Sequence, residues 1–200
     1  LADIYPADIA LIIDNLEPEE ALSLFKLLED EIQAEVIMEL GDYRRDEILD
    51  HLSTGEISEI VGEMDSDDAT DIIGDLEDDK AEDVLQQMEA EDSSEVKELL
   101  SYEEDTAGGI MQKEFVTVSL TDSINRAVEI IREEAPDNEH LYHVWVTDEK
   151  GKLRGIVSLK KIIVALNTPS VIMADIMSTE VISVDVDTDR EEVASIMRKY

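Results

Sequence analysis

Two carboxylates near the middle of the chain have a spacing that could bind a cation. In the stretch Asp67-Asp68-Ala69-Thr70-Asp71, Asp67 and Asp71 stand four positions apart, which places them on one face of a helix. Two like charges at this spacing destabilise a helix, and a bound cation between them would remove that cost. Alternatively, Asp67 and Asp68 cap the helix N-terminus and complement its dipole. The spacing alone leaves both interpretations open.

A second acidic run has only part of the pattern of a calcium loop. Asp185-Val186-Asp187-Thr188-Asp189 has acids at positions 1, 3 and 5. However, Arg190 stands where such a loop requires Gly, and Ile196 stands where it requires a bidentate Glu. The run is therefore not predicted to be an EF-hand.

The remaining reactive residue types do not form a recognisable catalytic or zinc site. His140 and His143 lie close together in sequence, but no third nitrogen ligand is evident, and His51 is expected at a surface or a helix corner. Gly108-Gly109 lacks the Lys and the Ser or Thr of a phosphate-binding loop. Because no Ser, His and acid arrangement is present, we predict no catalytic residues and no enzyme activity.

The composition is strongly acidic and unevenly distributed. The chain has 200 residues, with 52 Asp and Glu against 16 Lys and Arg, a formal net charge of −36. Residues 1–105 contain 36 of the acids and only 5 of the bases, so a positive partner should help them to close, unless the charge only keeps the helices soluble. Binding of nucleic acid through a cluster of Lys and Arg side chains is therefore excluded.

The chain has no Cys and no apolar run long enough to cross a bilayer, so we expect a soluble segment of a longer protein.

The acidic half carries an apolar pattern with a period of twelve residues. Pairs of apolar residues four positions apart recur eight times, from Ile12 and Leu16 to Val96 and Leu100. A continuous helix would rotate this pattern by about 120° per repeat, so each repeat must be a separate short helix followed by a corner. Breakers and caps fall between the repeats, at Pro18, Gly41-Asp42, Ser53-Thr54-Gly55, Ser66-Asp67 and Asp78-Asp79. Residues 1–105 are therefore predicted to form an all-α superhelical array.

The second half changes to a mixed pattern in the order β-α-β-β-α. Strands are predicted at Phe115 to Val118, Tyr142 to Val146 and Leu153 to Val157, and helices from Thr121-Asp122-Ser123 to Ile131 and from Ser158 to about Leu166. A shift of 66 positions aligns the start of this pattern with a second copy. It matches Ile110-Met111 to Ile176-Met177, Phe115–Val118 to Val181–Val184, and Ile130-Ile131 to Ile196-Met197. The predicted domains are therefore 1–105, 106–170 and a truncated second module, 171–200.

Two segments resemble known families. The run from Val144 to Ile162 resembles the hairpin and second helix of a cystathionine-β-synthase-type (CBS) module, which occurs in tandem pairs. The junction Tyr102-Glu103-Glu104-Asp105-Thr106-Ala107-Gly108-Gly109-Ile110-Met111 is similar to the junction in the MgtE family of bacterial magnesium channels. This resemblance implies a multi-domain α and α/β chain in which an all-α array precedes a CBS-domain pair. It further implies a homodimer at the cytoplasmic face of the cell membrane that senses Mg²⁺ and closes a pore lying C-terminal to the chain.

The resemblance also implies the ligands of the Mg²⁺ cofactor. Family ligands between the array and the CBS pair align with Asp67, Asp71 and Glu47, with Glu191, and with the backbone carbonyls of Gly109 and Arg198. Carboxylate and carbonyl oxygens are the donors that Mg²⁺ prefers.

Two alternative functions remain open at this stage. Many CBS pairs bind adenine nucleotides through an Asp three residues after a Ser or Thr, but Lys161 stands at that position relative to Ser158. An adenylate sensor is therefore an alternative with no assigned nucleotide-binding residues, and adenine nucleotide is a possible partner. A helical scaffold that binds a protein on its concave face is the second alternative, against which the appended CBS pair argues.

Overall fold

Eight helices of the acidic half begin at intervals of twelve residues. The computed structural model describes residues 4–134, 141–166, 168 and 170–200. Each helix has eight to ten residues, and the ranges are α1 Pro6–Asp14, α2 Pro18–Phe25, α3 Asp30–Glu39, α4 Asp42–His51, α5 Thr54–Val61, α6 Ser66–Gly74, α7 Asp78–Gln87 and α8 Ala90–Leu99. The predicted array of short helices with a twelve-residue period is confirmed.

The helix starts follow the predicted breakers, with a shift at two of them. Pro18 is the first residue of α2, where its missing N–H costs no hydrogen bond. Ser53 caps α5, because its Oγ accepts from the Glu56 N–H while the Glu56 carboxylate accepts from the Ser53 N–H. The stretches beginning at Ser66 and Asp78 are already helical, and the capping positions are one residue earlier.

The array is held together by packing between alternate helices. Helix α1 packs on α3, α3 on α5 and α5 on α7, while α2 packs on α4 and α6 on α8. Since a helix of two or three turns cannot bury an apolar face alone, this stacking creates one core. Its fully buried side chains include Ile9, Ile13, Phe25, Val36, Ile37, Ile48, Ile57, Ile72, Ile73 and Val84.

Residues 114–184 form a separate unit around a three-stranded sheet. Its elements are β1 Thr117–Ser119, α9 Ile124–Glu134, β2 His143–Thr147, β3 Leu153–Ser158, α10 Leu159–Ala165 and α11 Met173–Ile176. Strand β2 lies between β1, to which it is parallel, and β3, to which it is antiparallel. The core consists mainly of Val116, Val118, Ala127, Val144, Val146, Val157, Ile162 and Met173. The predicted β-α-β-β-α order is confirmed.

Two predictions for this half need correction at the level of single elements. Strand β1 begins at Thr117 instead of Phe115, whose side chain is half exposed. The counterpart segment 181–184 contains no strand among the described residues, because none of β1, β2 and β3 pairs with it. Helix α12, Arg190–Lys199, does contain Ile196 and Met197, as the 66-residue shift predicts.

The segment 185–200 belongs by its contacts to the same unit as residues 4–113. The Ala107 N–H donates to the Thr188 carbonyl (2.7 Å), and the Gly108 N–H donates to the Val186 carbonyl (2.8 Å). The Arg190 N–H donates to the Asp105 carbonyl (2.8 Å). These bonds position α12 beside the end of the helical array. In the described part of the chain, no helix is long and apolar enough to cross a membrane.

Candidate functional site

A cleft in the unit formed by residues 4–113 and 185–200 combines acidic, basic and backbone groups. Its volume is about 360 Å³. Its charged lining residues are Arg45, Asp71, Asp75, Glu104 and Arg190. The rest of the wall is formed by Met38, Thr70, Ile72, Gly74, Leu99, Leu100, Tyr102, Gly109 and Ile110. Two of the predicted ligands, Asp71 and Gly109, are therefore brought together here.

Helix α6 places Asp71 in the cleft because its other face is needed for the core. Ala69, Ile72 and Ile73 are buried, each about 1% exposed, so the acidic side chains of the helix lie on its outward side. Asp75 follows Asp71 by four residues and is the C-cap of α6. A carboxylate at a helix C-terminus is unfavourably placed relative to the helix dipole. The two side chains thus concentrate negative charge at one end of α6.

The local environment makes it costly for Asp71 to carry its charge. Burial is the largest cause that raises the pKa of the Asp71 carboxyl above its ordinary value. The negative charges of Asp67, Asp75 and Glu104 raise this pKa further, whereas Arg45 lowers it. Because both desolvation and nearby negative charge disfavour the ionised form, this carboxyl is suited to bind a proton or a metal cation.

Arg45 is the cation that α4 contributes to the cleft. Its Nη2 lies 3.3 Å from Asp42 Oδ1 and 3.5 Å from Asp75 Oδ2, and its side chain is 19% exposed. Its Nε is buried and has no hydrogen-bond partner among the described residues. The guanidinium is therefore close to two carboxylates without being tightly bound to either.

Asp67 lies at the N-terminal end of α6 and contacts a residue that the sequence patterns did not single out. Its Oδ1 accepts a hydrogen bond from Gln112 Nε2 (3.2 Å), which also lies 3.2 Å from Asp65 Oδ2. The next residue continues this contact, because the Lys113 N–H donates to Ser66 Oγ (3.0 Å). Asp67 does not line the cleft, but its charge contributes to the raised pKa of Asp71.

The glycines of the junction have a steric role. A Cβ on Gly109 would lie 2.5 Å from the Glu103 carbonyl oxygen, and one on Gly108 would lie 2.6 Å from the Tyr102 ring. Only glycine allows the chain to fold back this closely on residues 102–104. This close approach brings Gly109 and Glu104 to the same cleft wall.

Glu47 is not in this cleft. Its carboxylate accepts from Arg44 Nη1 (2.6 Å), and the same guanidinium donates through Nη2 to the Leu16 carbonyl (2.6 Å). Glu47 lines a smaller cavity of about 70 Å³ together with His51. His51 is exposed at the end of α4, with its Nδ1 2.8 Å from the Glu47 carbonyl oxygen. The structure therefore does not bring Glu47 together with Asp71.

The two predicted ligands in α12 also lie outside the cleft wall. The Glu191 N–H donates to Asp189 Oδ1 (2.8 Å), which caps the helix, and Arg198 Nε donates to the Ala194 carbonyl (3.3 Å). Both residues are exposed, whereas the adjacent Arg190 does line the cleft. Of the histidines set aside above, His143 is exposed in β2 and His140 lies outside the described residues.

The donor set of the cleft suits a hard cation, but it is not a preassembled metal cage. Over the residues that the structure describes, no three or more Asp, Glu or His side chains are grouped so as to hold a metal ion. Carboxylates of Asp71, Asp75 and Glu104 beside Gly109 are nevertheless the oxygen chemistry that Mg²⁺ selects. Because Mg²⁺ keeps several waters and needs only one or two protein carboxylates, such an open arrangement fits it.

The lysines that follow β3 occupy the position considered for nucleotide binding. Ser158 caps α10 by accepting from the Lys161 N–H (3.4 Å), and Lys161 Nζ donates to the Ile176 carbonyl (2.9 Å). Lys160 and Lys161 are exposed. Two ammonium groups are therefore accessible beside the N-terminus of α10, whereas a ribose-binding carboxylate is not at this position.

Family profiles match most of the chain. The MgtE intracellular N domain matches residues 4–105, and the CBS domain matches residues 107–168 and 173–200.

Curated relatives match the acidic half. The magnesium transporter MgtE of Thermus thermophilus is 44% identical over 102 residues, which are 51% of this chain and 22% of the relative. The magnesium transporter MgtE of Enterococcus faecalis is 40% identical over 104 residues, which are 52% of this chain and 22% of the relative. The matched part thus spans less than a quarter of either relative.

Solved structures extend the similarity to the whole chain. The cytosolic domain of the Mg²⁺ channel MgtE in complex with ATP is 35% identical, with a TM-score of 0.91, over 100% of this chain and 81% of that one. The soluble part of a magnesium transporter is 28% identical, with a TM-score of 0.67, over 98% of this chain and 86% of that one. The predicted fold class, a helical array followed by a CBS pair, is confirmed.

Proposed function

Because this chain belongs to the MgtE family, we propose that it is the Mg²⁺-sensing regulatory region of a magnesium channel or transporter at the cytoplasmic face of the cell membrane. Cation binding between the helical array and the segments assigned to the CBS pair favours a compact state, and that state closes a pore in a membrane domain of the same protein. The domains proposed for this role are residues 1–105, 106–170 and 171–200. The chain acts as a homodimer and is not an enzyme.

The observation that carries the proposal is that the carboxylates of Asp71, Asp75 and Glu104 line one cleft together with Gly109 from the junction. The pKa of Asp71 is raised by burial and by the negative charges of Asp67, Asp75 and Glu104. A divalent cation there would supply two positive charges to carboxylates that now repel one another. Binding would therefore link α6 to the junction segment, which is the connection that a sensor needs.

The array has few cations of its own with which to satisfy this charge. Each of its five lysines and arginines contacts a group of the array. Lys26 contacts Glu56, Arg44 contacts Glu47 and the Leu16 carbonyl, and Arg45 contacts Asp42 and Asp75. Lys80 contacts the Leu49 carbonyl, and Lys97 contacts Ser93. Each of these bases is thus engaged with the array itself. The remaining acidic charge is available to bind cations from solution.

Asp67, Glu47, Glu191 and Arg198 remain proposed ligands on the basis of the family resemblance. If several sites bind the compact state preferentially, each adds RT ln(1 + [L]/Kd) to its stability, and the response to Mg²⁺ is steep. Asp67 would have to exchange its hydrogen bond with Gln112 for the cation. Glu47 would have to exchange its contact with Arg44.

The test is a comparison of MgCl₂ with KCl at matched ionic strength. We expect Mg²⁺, but not K⁺, to reduce the radius of gyration in small-angle scattering and to bind in calorimetry. The double variant Asp67→Ala with Asp71→Ala should lose most of the Mg²⁺ response. Equal responses to both salts would mean general screening and would overturn the sensor proposal. An unchanged Mg²⁺ response in the double variant would overturn these two ligands only.

Adenine nucleotide is a second candidate ligand. The similar MgtE cytosolic domain was solved in complex with ATP, and the accessible Lys160 and Lys161 could meet phosphate groups. Lys161 at the position of the usual Asp argues against ribose binding in the first module. Calorimetric titration with ATP at fixed Mg²⁺ tests this, and the absence of heat together with unchanged Mg²⁺ affinity would exclude it.

A further inference from the structure

Arg45 differs from the other basic residues of the array in how loosely it is held. Lys26 and Arg44 contact their carboxylates at 2.6 Å, whereas Arg45 lies 3.3 Å from Asp42 and 3.5 Å from Asp75. The Arg45 Nε has lost its hydration without gaining a hydrogen-bond partner in the described part of the chain. A desolvated donor with no acceptor weakens the hold on this guanidinium.

The position of Arg45 couples it to the candidate cation site. It lines the same cleft as Asp71, Asp75, Glu104 and Gly109, and it contacts Asp75 directly. A divalent cation that uses the Asp75 carboxylate must therefore share it with Arg45 or displace the guanidinium. Because Arg45 Nη2 lies 3.3 and 3.5 Å from its two carboxylates, displacing it costs little interaction free energy.

We propose that Arg45 is an internal counterion that competes with the divalent cation for the cleft and thereby sets its affinity. The inference rests on the function proposed above, because it assumes that the cleft binds Mg²⁺. A fixed positive charge lowers the affinity for a second cation through electrostatic repulsion and through occupation of Asp75. It also keeps the cleft partly neutralised when the cation is absent. Arg45 thus keeps the binding threshold higher than the carboxylates alone would give.

Substitutions at this position separate the charge of Arg45 from its packing. Arg45→Gln and Arg45→Met remove the charge, and Met retains an aliphatic side chain along the cleft wall. Each should tighten Mg²⁺ binding at the cleft by about threefold to tenfold. Arg45→Lys retains the charge and should stay within about twofold of the unsubstituted chain.

A matched control removes the same charge elsewhere on the array. Lys26 pairs with Glu56, and neither residue lines the cleft. Lys26→Gln changes the net charge by the same amount as Arg45→Gln. Because the general field is screened by salt, its effect on the cleft should be less than about twofold at 0.15 M ionic strength.

The experiment follows the backbone amide signals of Gly74 and Gly109, which both lie in the cleft wall, by NMR during titration with MgCl₂ at constant ionic strength. Tighter binding in Arg45→Gln or Arg45→Met, with little change in Lys26→Gln, is the expected result. Equal or weaker binding in both Arg45 variants, or equal tightening in Lys26→Gln, would overturn the role of Arg45. Thermal unfolding of each variant establishes that it is folded, so that only folded variants are compared.

The same titration distinguishes failure of this inference from failure of the proposed site. If Mg²⁺ leaves Gly74 and Gly109 unshifted in the unsubstituted chain, the cleft is not a Mg²⁺ site and both proposals fall. If the signals shift but the Arg45 variants bind no more tightly, only the competing role of Arg45 falls.

Discussion

Gln112 donates its side-chain amide to Asp67 across 45 residues of sequence, with 3.2 Å between Nε2 and Oδ1. The same amide nitrogen lies 3.2 Å from Asp65, so one neutral side chain bridges two carboxylates at the start of α6. This contact ties the segment that follows the junction to the helix that carries Asp71. A neutral donor achieves here part of what a cation would achieve more strongly.

Gln112→Glu should therefore destabilise the chain more than Gln112→Ala. The alanine variant only removes hydrogen bonds at an exposed site, whereas the glutamate variant places a third negative charge against Asp65 and Asp67. We expect a difference in unfolding free energy of about 0.5–1 kcal/mol at low salt, measured by denaturant titration. High salt should reduce the difference. A Glu variant as stable as the Ala variant at low salt would show that the bridge has no electrostatic role.

Asp71→Asn should increase the stability of the metal-free chain at neutral pH. A carboxyl whose pKa is raised in the folded state binds its proton more tightly when folded, so stability falls as pH rises through that raised pKa. The amide avoids this loss, and we expect its Tm to be higher by about 1–3 °C at pH 7 in chelator. The advantage should disappear as pH falls below the ordinary pKa of Asp.

The same variant should lose part of the stabilisation that Mg²⁺ gives to the unsubstituted chain. Asp46→Asn is a suitable control, because it removes an acid of α4 that does not line the cleft. If Asp71→Asn were less stable than the unsubstituted chain in chelator, the crowding of charge at Asp71 would not limit stability.

The helical array could be predicted from the sequence because the signals that define each helix are local and recur in every repeat. Pro18 and the Ser53 cap with Glu56 act within a few residues, and the apolar pairs fix which side of each helix is buried. The cleft was harder to predict, because it depends on contacts between residues far apart in sequence, such as Arg45 with Asp75 and Gln112 with Asp67. No spacing rule connects residues 30 or 45 positions apart. The spacing of Asp67 and Asp71 left both a cation site and a helix cap open, and Gly109 was predicted only through a family resemblance.

Glu56→Gln should weaken the N-terminus of α5 in a pH-dependent way. The Lys26 ammonium and the Ser53 backbone and hydroxyl hold the pKa of Glu56 at about 2. The stabilisation is therefore complete above the ordinary pKa of Glu and is lost as pH falls toward about 2. At pH 7 we expect a loss of about 0.5–1 kcal/mol, since the pair is substantially exposed.

Denaturant unfolding at pH 7 and at pH 3 measures this change. Glu59→Gln, in the same helix, is the matched control and should have little effect. A loss for Glu56→Gln that is as large at low pH as at pH 7 would attribute the effect to packing instead of charge.

Gly109→Ala should destabilise the chain, whereas Gly74→Ala should not, although both glycines line the cleft. At Gly109 the new Cβ would lie 2.5 Å from the Glu103 carbonyl and 2.9 Å from Glu104 Cα, so the backbone must move. At Gly74, the last residue of α6, the nearest contact is the flexible Leu100 side chain at 3.7 Å. We expect a loss of about 1–3 kcal/mol for Gly109→Ala and a change between zero and a gain of about 1 kcal/mol for Gly74→Ala. Because the displaced segment carries Glu104, Gly109→Ala should also weaken Mg²⁺ binding in calorimetry, and a stable variant with full affinity would contradict the steric role of this glycine.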